Sequence, residues 1–248
     1  MPLSVHPATA EDISRILDIQ SAALRMSGFF RACGEISNPD GFQDHDKKYP
    51  EPIRRELQTK RFIYLMKSDP GFHLIKCVDD ETGEILAFAK WNVYVGGPES
   101  LERWREQMKT GEDMFVPEGA NVEGYRYCMG KLFDNRKLYF GEEGKENCVL
   151  TLLATDPAHE RRGAGTLLVN WGCGLADKHG AEAYLEASLR GYPVYERRGF
   201  EAIPTTEKQS AKLHFDASKY TGRGLGEGGK GDWARLTIMV RKPKPMKG

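Results

Sequence analysis

Arg161, Arg162, Gly163 and Gly165 stand at the entrance to an apolar helical run. The N–H groups of a helix's first turn lack internal partners, and the helix dipole places partial positive charge there. Gly163 and Gly165 let an anion come close to the backbone, and the two arginines add cationic charge. The turn therefore reads as an anion site. The plainer alternative is a helix start whose small residues serve packing. A Rossmann-type GxGxxG fails here, because Leu168 occupies the third glycine position. A true GxGxxG occurs at Gly224, Gly226 and Gly229, and Gly224 to Lys230 matches most of a Walker A motif. Residue 231 is Gly rather than Ser or Thr, and a strand follows instead of a helix. GRGLGEGGKGD is therefore read as a loop. DHD at 44–46 holds one histidine between two acids and reads as a solvated loop, so no metal is expected.

The elements that position this turn follow from periodicity. NCVLTLLATD (147–156) is apolar on both faces, as a central strand is, and Pro157 ends it. Leu167, Leu168, Trp171, Leu175 and Ala176 then fall at helical spacing over 164–179, and Gly180 supplies the stop. Residues 181–188 form a further strand, Pro193 to Arg198 a short helix, 200–203 a short strand and 232–240 a final one. Near the N-terminus, residues 3–6 read as a strand. Thr9 and Asp12 approach a capping box before an amphipathic helix over about 10–26. Residues 27–50 read as irregular, with a second helix from Pro52 to about Met66. Runs 72–79 and 84–94 flank a DETG turn as a hairpin. Residues 95–146 resist assignment, apart from a helix over 100–108. A structureless loop of that length is unusual in a compact domain, so helices are expected there.

Composition bounds the function. The chain has 248 residues, 36 basic and 36 acidic, so its net charge is zero. A dedicated nucleic-acid binder usually carries a basic excess. The start MPLSVHPATAEDI lacks a signal-peptide pattern, and no apolar run reaches the length of a membrane span. The five cysteines are scattered without a CxxC pair and read as small buried hydrophobes. A cytoplasmic protein with reduced thiols is expected, with the nucleus left open. The order of elements suggests one α/β sheet with helices on its faces.

LLATDPAHERRGAGTLLVNWG, then AYLEAS, then PVYERRGFEAI, resembles the GNAT superfamily of N-acetyltransferases, and most of all its fungal branch. The family's (Q/R)xxGx(G/A) pattern falls here on Glu160, Gly163 and Gly165, and Glu160 departs from it. A second hallmark, Tyr-x-x-x-Gly-Phe, falls on Tyr195, Gly199 and Phe200. The resemblance covers residues 147–203 and implies a mixed, mostly antiparallel sheet, splayed at the cofactor site, in one domain over 1–248. Residues 27–70 and 95–146 would be elaborations and 242–248 a flexible tail. It implies acetyl-CoA as co-substrate and a small-molecule or protein amine as acceptor, while charge and apolar patterning lead to no expectation of a membrane or nucleic-acid partner. Leu153, Ala154 and Thr155 would lie along the acetyl-CoA arm. Arg161, Arg162, Gly163, Ala164, Gly165 and Thr166 would hold the pyrophosphate, and Ser188 would sit near the arm. Tyr195 would protonate the departing thiolate; a tyrosine with a pKa near 10 is protonated at neutral pH.

The base is open. Glu186 shares a strand face with Tyr184 and Ser188 and is the first choice, with a structural carboxylate as its alternative. Asp156 reads as a turn residue and His159 as surface. An acyl-enzyme on Cys173 is the disfavoured route. Two other readings stand beside N-acetyl transfer. One is a non-catalytic acyl-CoA-binding module, kept open by Glu160. The other is transfer to a hydroxyl or of a longer acyl group. Aromatic residues in and beside the elaborations, among them Trp91, Trp104 and Tyr125, could line an amine pocket but read mostly as core.

Overall fold

The strongest apolar run does lie near the middle of the sheet. In a computed structural model describing residues 2–25, 27–35, 47–221 and 233–245, β4 (Asn147–Thr155) is flanked by β3 (Ile85–Tyr94) and β5 (Glu182–Ser188). Beyond β3 come β2 (Phe72–Asp79) and β1 (Leu3–Pro7). Beyond β5 comes β8 (Trp233–Arg241), whose far edge carries β6 (Glu201–Ala202) and β7 (Lys212–Asp216). All described pairings are antiparallel except β4 with β5. The sheet is thus mixed and mostly antiparallel, as expected.

Helices cover both faces. On one, α6 (Ala164–His179) buries Leu168, Val169, Cys173 and Ala176 against Ala87, Ala89, Trp91 and Leu185. On the other, α1 (Ile13–Leu24) buries Ile13, Ile16 and Leu17 against Leu74, Phe88 and Leu152. A 3-10 turn, Ala10–Asp12, precedes α1, so the helix begins three residues later than periodicity suggests. Asp12 nevertheless closes this start, accepting the Thr9 N–H at 2.7 Å.

The described parts of residues 27–70 and 95–146 are largely helical. Residues 27–50, read as irregular, contain α2 (Gly28–Ala32). The second expected helix is α3 (Glu51–Ser68). Within 95–146 lie α4 (Pro98–Gln107) and α5 (Val122–Phe140). In α5, Tyr125, Cys128, Leu132, Phe133, Arg136 and Phe140 form one buried stripe at steps of three and four, packed on Val149, Tyr184 and Ile238. The short α7 (Tyr192–Glu196) and α8 (Ser218–Thr221) complete the set. The final residues were expected to be flexible. Their described part is tied down, because the Lys244 N–H donates to Asp177 at 2.6 Å. Both GRGLGEGGKGD and DHD lie outside the described residues.

Asp177 also receives both Arg241 nitrogens, each at 2.8 Å. The Arg241 hydrogen bonds hold its carboxyl below the ordinary value of 3.8. Asp79 is buried beneath Arg162 at 2.5 Å and is lowered for the same reason. A depressed folded-state pKa gives stability that is present above about pH 4 and lost as pH falls through the folded value. The thermal midpoint is therefore expected to fall steeply on acidification below about pH 4, with a shallower fall in Asp177→Asn. Identical acid profiles for both proteins would remove this ion pair from the account.

Candidate active site

The central feature is a split in the sheet. Parallel pairing of β4 with β5 runs from Asn147 and Glu182 to Leu150 and Leu185 and stops there. Beyond that step β4 stays with β3 as far as Thr155, while β5 stays with β8 as far as Ser188. The two strands therefore part in a V. A bulge marks the parting. Lys90 pairs with Leu152 and Trp91 with Leu150, so Thr151 is the extra residue, and its hydroxyl donates to the Lys90 carbonyl at 3.1 Å. A bulge bends its strand and increases the twist, which turns β4 away from β5.

The glycine turn sits at the open end of β4. Asp156 accepts the Ala158 N–H at 2.8 Å and pairs with Arg15 at 2.6 Å, so it is a turn residue. Gly163 is the N-cap of α6 with φ 92°, a conformation that glycine adopts without strain, and no side chain caps the helix. Its first-turn N–H groups thus have no side-chain cap. Arg161 is the only non-glycine residue at positive φ (60°) among the described residues. Such strain persists where the surroundings over-determine it. The two arginines divide their work. Arg161 is exposed, whereas Arg162 reaches back to Asp79 and to His159 at 3.4 Å. Glu160 forms an ion pair with Arg190, on the loop after β5, so the departure from the motif ties the two sides of the V together.

Along the V, Leu153 and Thr155 are half-buried and Ala154 is buried. A Cβ on Gly165 would meet the Thr155 hydroxyl at 3.6 Å and Leu153 at 3.8 Å, so the helix start and β4 form one wall. Thr166 is half-buried, and Ala164 is buried beneath the turn. On the opposite wall, Ser188 accepts the Gly191 N–H at 3.1 Å. Tyr195 packs beside Gly191, its ring centroid 6.0 Å from that of Phe200. Burial pushes its phenol pKa up, and no described group hydrogen-bonds its hydroxyl.

Glu186 does not present a free carboxylate. Arg136 of α5 grips both of its oxygens, Nε and a terminal nitrogen each at 2.8 Å, and the two side chains are 2% and 5% exposed. Sequence spacing alone gives Glu186 no partner. The signal available there was the one arginine on the buried stripe of 122–140. Cys173 is equally committed, since burial pushes its thiol up to about 11, where it is not a nucleophile at neutral pH. All five cysteines are buried and free, as small hydrophobes would be.

A bulged central strand, a V between two parallel neighbours and an uncapped glycine turn define an acyl-transfer fold. The sequence profile described as Acetyltransferase (GNAT) family matches residues 38–200. The chain belongs to that family and is an acyltransferase. Among solved structures, a mosquito arylalkylamine N-acetyltransferase like 5b matches with TM-score 0.54 and 13% identity, over 97% of this chain and 100% of that one. Arylalkylamine N-acetyltransferase 2 from Aedes aegypti gives 0.52 and 16%, over 98% and 100%. The apo form of an agmatine N-acetyltransferase mutant gives 0.54 and 12%, over 97% and 99%. At these identities the likeness is one of fold, and none of the three bears on a fungal branch. No curated protein matches.

Proposed function

We propose that the chain transfers the acetyl group of acetyl-CoA directly to a primary amine. The V carries this reading. Its β4 edge, from Leu152 to Thr155, has lost the β5 partner, so backbone donors and acceptors there are free to pair with an extended ligand. Leu153, Ala154 and Thr155 would bind the amide-bearing arm of the cofactor. The turn from Arg161 through Arg162, Gly163, Ala164 and Gly165 to Thr166 would hold the pyrophosphate, chiefly through N–H groups. Ser188 would face the arm from the other wall.

The amine attacks the thioester carbonyl, a C–N bond forms, the C–S bond breaks, and Tyr195 protonates the thiolate. Burial keeps that phenol protonated, which suits an acid. Direct transfer is favoured because all five cysteines are buried. Glu186 we assign to holding Arg136 rather than to proton transfer.

Calorimetric titration with acetyl-CoA tests the cofactor site. Gly163→Tyr costs about 1–2 kcal/mol in backbone strain and puts a ring over the turn. The parent is expected to bind, and the variant, shown folded by circular dichroism, to lose binding. Equal affinity in the two would move the pyrophosphate elsewhere. Thiol release with phenethylamine, agmatine and glutamate as trial acceptors then tests the amine. Release with none of these but with an alcohol would replace N-transfer by O-transfer.

A further inference from the structure

With Glu186 committed to Arg136, the acceptor ammonium needs another group to take its proton. We propose that Lys90 Nζ is that group, a catalytic base on β3. The assignment rests on the amine-transfer reading above.

Placement comes first. Lys90 pairs with Leu152 and holds the Thr151 hydroxyl through its carbonyl, so it stands at the step where the V opens. Strand alternation puts its side chain on the face of Phe88, which is packed under α1. The other face at this step is filled by α6 against Ala89 and Trp91. An acceptor reaching the thioester must therefore come over the face that Lys90 occupies.

Surroundings come second. The charged groups facing Lys90 are Arg61 from α3, Glu35 from the segment after α2, and Arg136 from α5. The Arg136 charge is already balanced by Glu186. Lys90 is half-buried and forms no hydrogen bond or ion pair with these groups among the described residues. A lysine that is desolvated and crowded by cations gives up its proton readily. Burial first, and Arg61 after it, push Lys90 down to about 8 against the opposing Glu35 carboxylate. That is near the working pH of a general base.

Other candidates fall away on position. Asp156 and His159 lie at the phosphate end, held by Arg15, Ala158, Glu84 and Arg162. Tyr125 is pushed up to about 12 by burial and stays protonated. The protons balance as follows. Neutral Lys90 takes one proton from the acceptor ammonium and later returns it to water. The second amine proton, released as the C–S bond breaks, replaces the one that Tyr195 gives to the thiolate.

Competitive labelling of the whole parent protein with acetic anhydride, read by peptide mass spectrometry, tests this without an acceptor. Lys90 is expected to reach half-maximal reactivity near pH 8, and bound CoA is expected to slow its labelling. Lys60 and Lys109 serve as references, since Glu56 and Glu106 raise their pKa values. Lys90 titrating with those two, or labelling unchanged when calorimetry shows CoA bound, would overturn the assignment. Failure of CoA to bind at all would sink the acyl-transfer reading itself.

Kinetics supply the second arm. Lys90→Met is expected to lower kcat/KM for phenethylamine by roughly 10²–10³ at neutral pH, with KM for acetyl-CoA unchanged. Hydroxylamine, already neutral at that pH, should be acetylated at an unaltered rate. Lys90→Arg should not rescue, because arginine keeps its proton. Full activity in Lys90→Arg would make the lysine structural.

Discussion

Arg136→Met is expected to destabilise the protein by about 3–5 kcal/mol, because it leaves the Glu186 carboxylate buried without a partner. The pair is bidentate, each bond 2.8 Å, and its side chains are almost wholly buried. Two parallel charge-assisted bonds satisfy the carboxylate. The loss should appear as a lower urea midpoint with an unchanged slope. Arg136→Met combined with Glu186→Met should recover most of the loss, since apolar replacements of a buried pair are often neutral. A single-variant cost under about 1 kcal/mol would show that the pair does not hold the fold. The same residues decide the base. Glu186→Gln keeps the shape and two hydrogen-bonding atoms. It should change kcat/KM less than tenfold if Glu186 is structural. A folded Glu186→Gln protein slowed by roughly 10³ or more would restore Glu186 as the base and displace Lys90.

Tyr195→Phe carries the largest expected effect on turnover, a fall in kcat of roughly 10²–10⁴. In the proposed reaction the CoA thiolate would leave beside Tyr195, and the phenol would be its proton donor. The ring is buried in the core beneath α6, whereas its hydroxyl has no described hydrogen-bond partner. Removing the hydroxyl therefore leaves packing intact and strands no buried acceptor. Stability and acetyl-CoA affinity should stay close to the parent. An acyl thioester with a more acidic leaving thiol should recover part of the lost rate, because it needs the proton less. Unchanged kcat with acetyl-CoA would make Tyr195 a packing residue.

Much of the fold was legible in local pattern. The run 147–156, the helix over 164–179 and the Tyr195 to Phe200 segment each carry a strong local pattern of apolar, proline or glycine residues, and their bounds came out nearly as read. α5 was not legible, although its stripe has helical spacing, because glycines and charges interrupt the apolar signal. Gly124 is there for contact rather than propensity: a Cβ would lie 1.9 Å from the Ala32 carbonyl oxygen. β7 was missed because only Leu213 and Phe215 mark its buried face, and its pairing with β8 is long-range.

By itself, the sequence determined the family, the glycine turn that opens α6 and the tyrosine beside it, since these are encoded by neighbouring residues and backbone conformation. Tertiary structure alone decided which titratable side chains are paired and which are buried among charges. Whether a carboxylate or an amine is free depends on what faces it across the sheet. Arg136 reaches Glu186 from 50 residues away in the chain, and Arg61 crowds Lys90 from a different helix. Burial and charge at a side chain are sums over such distant neighbours, and no local spacing encodes them.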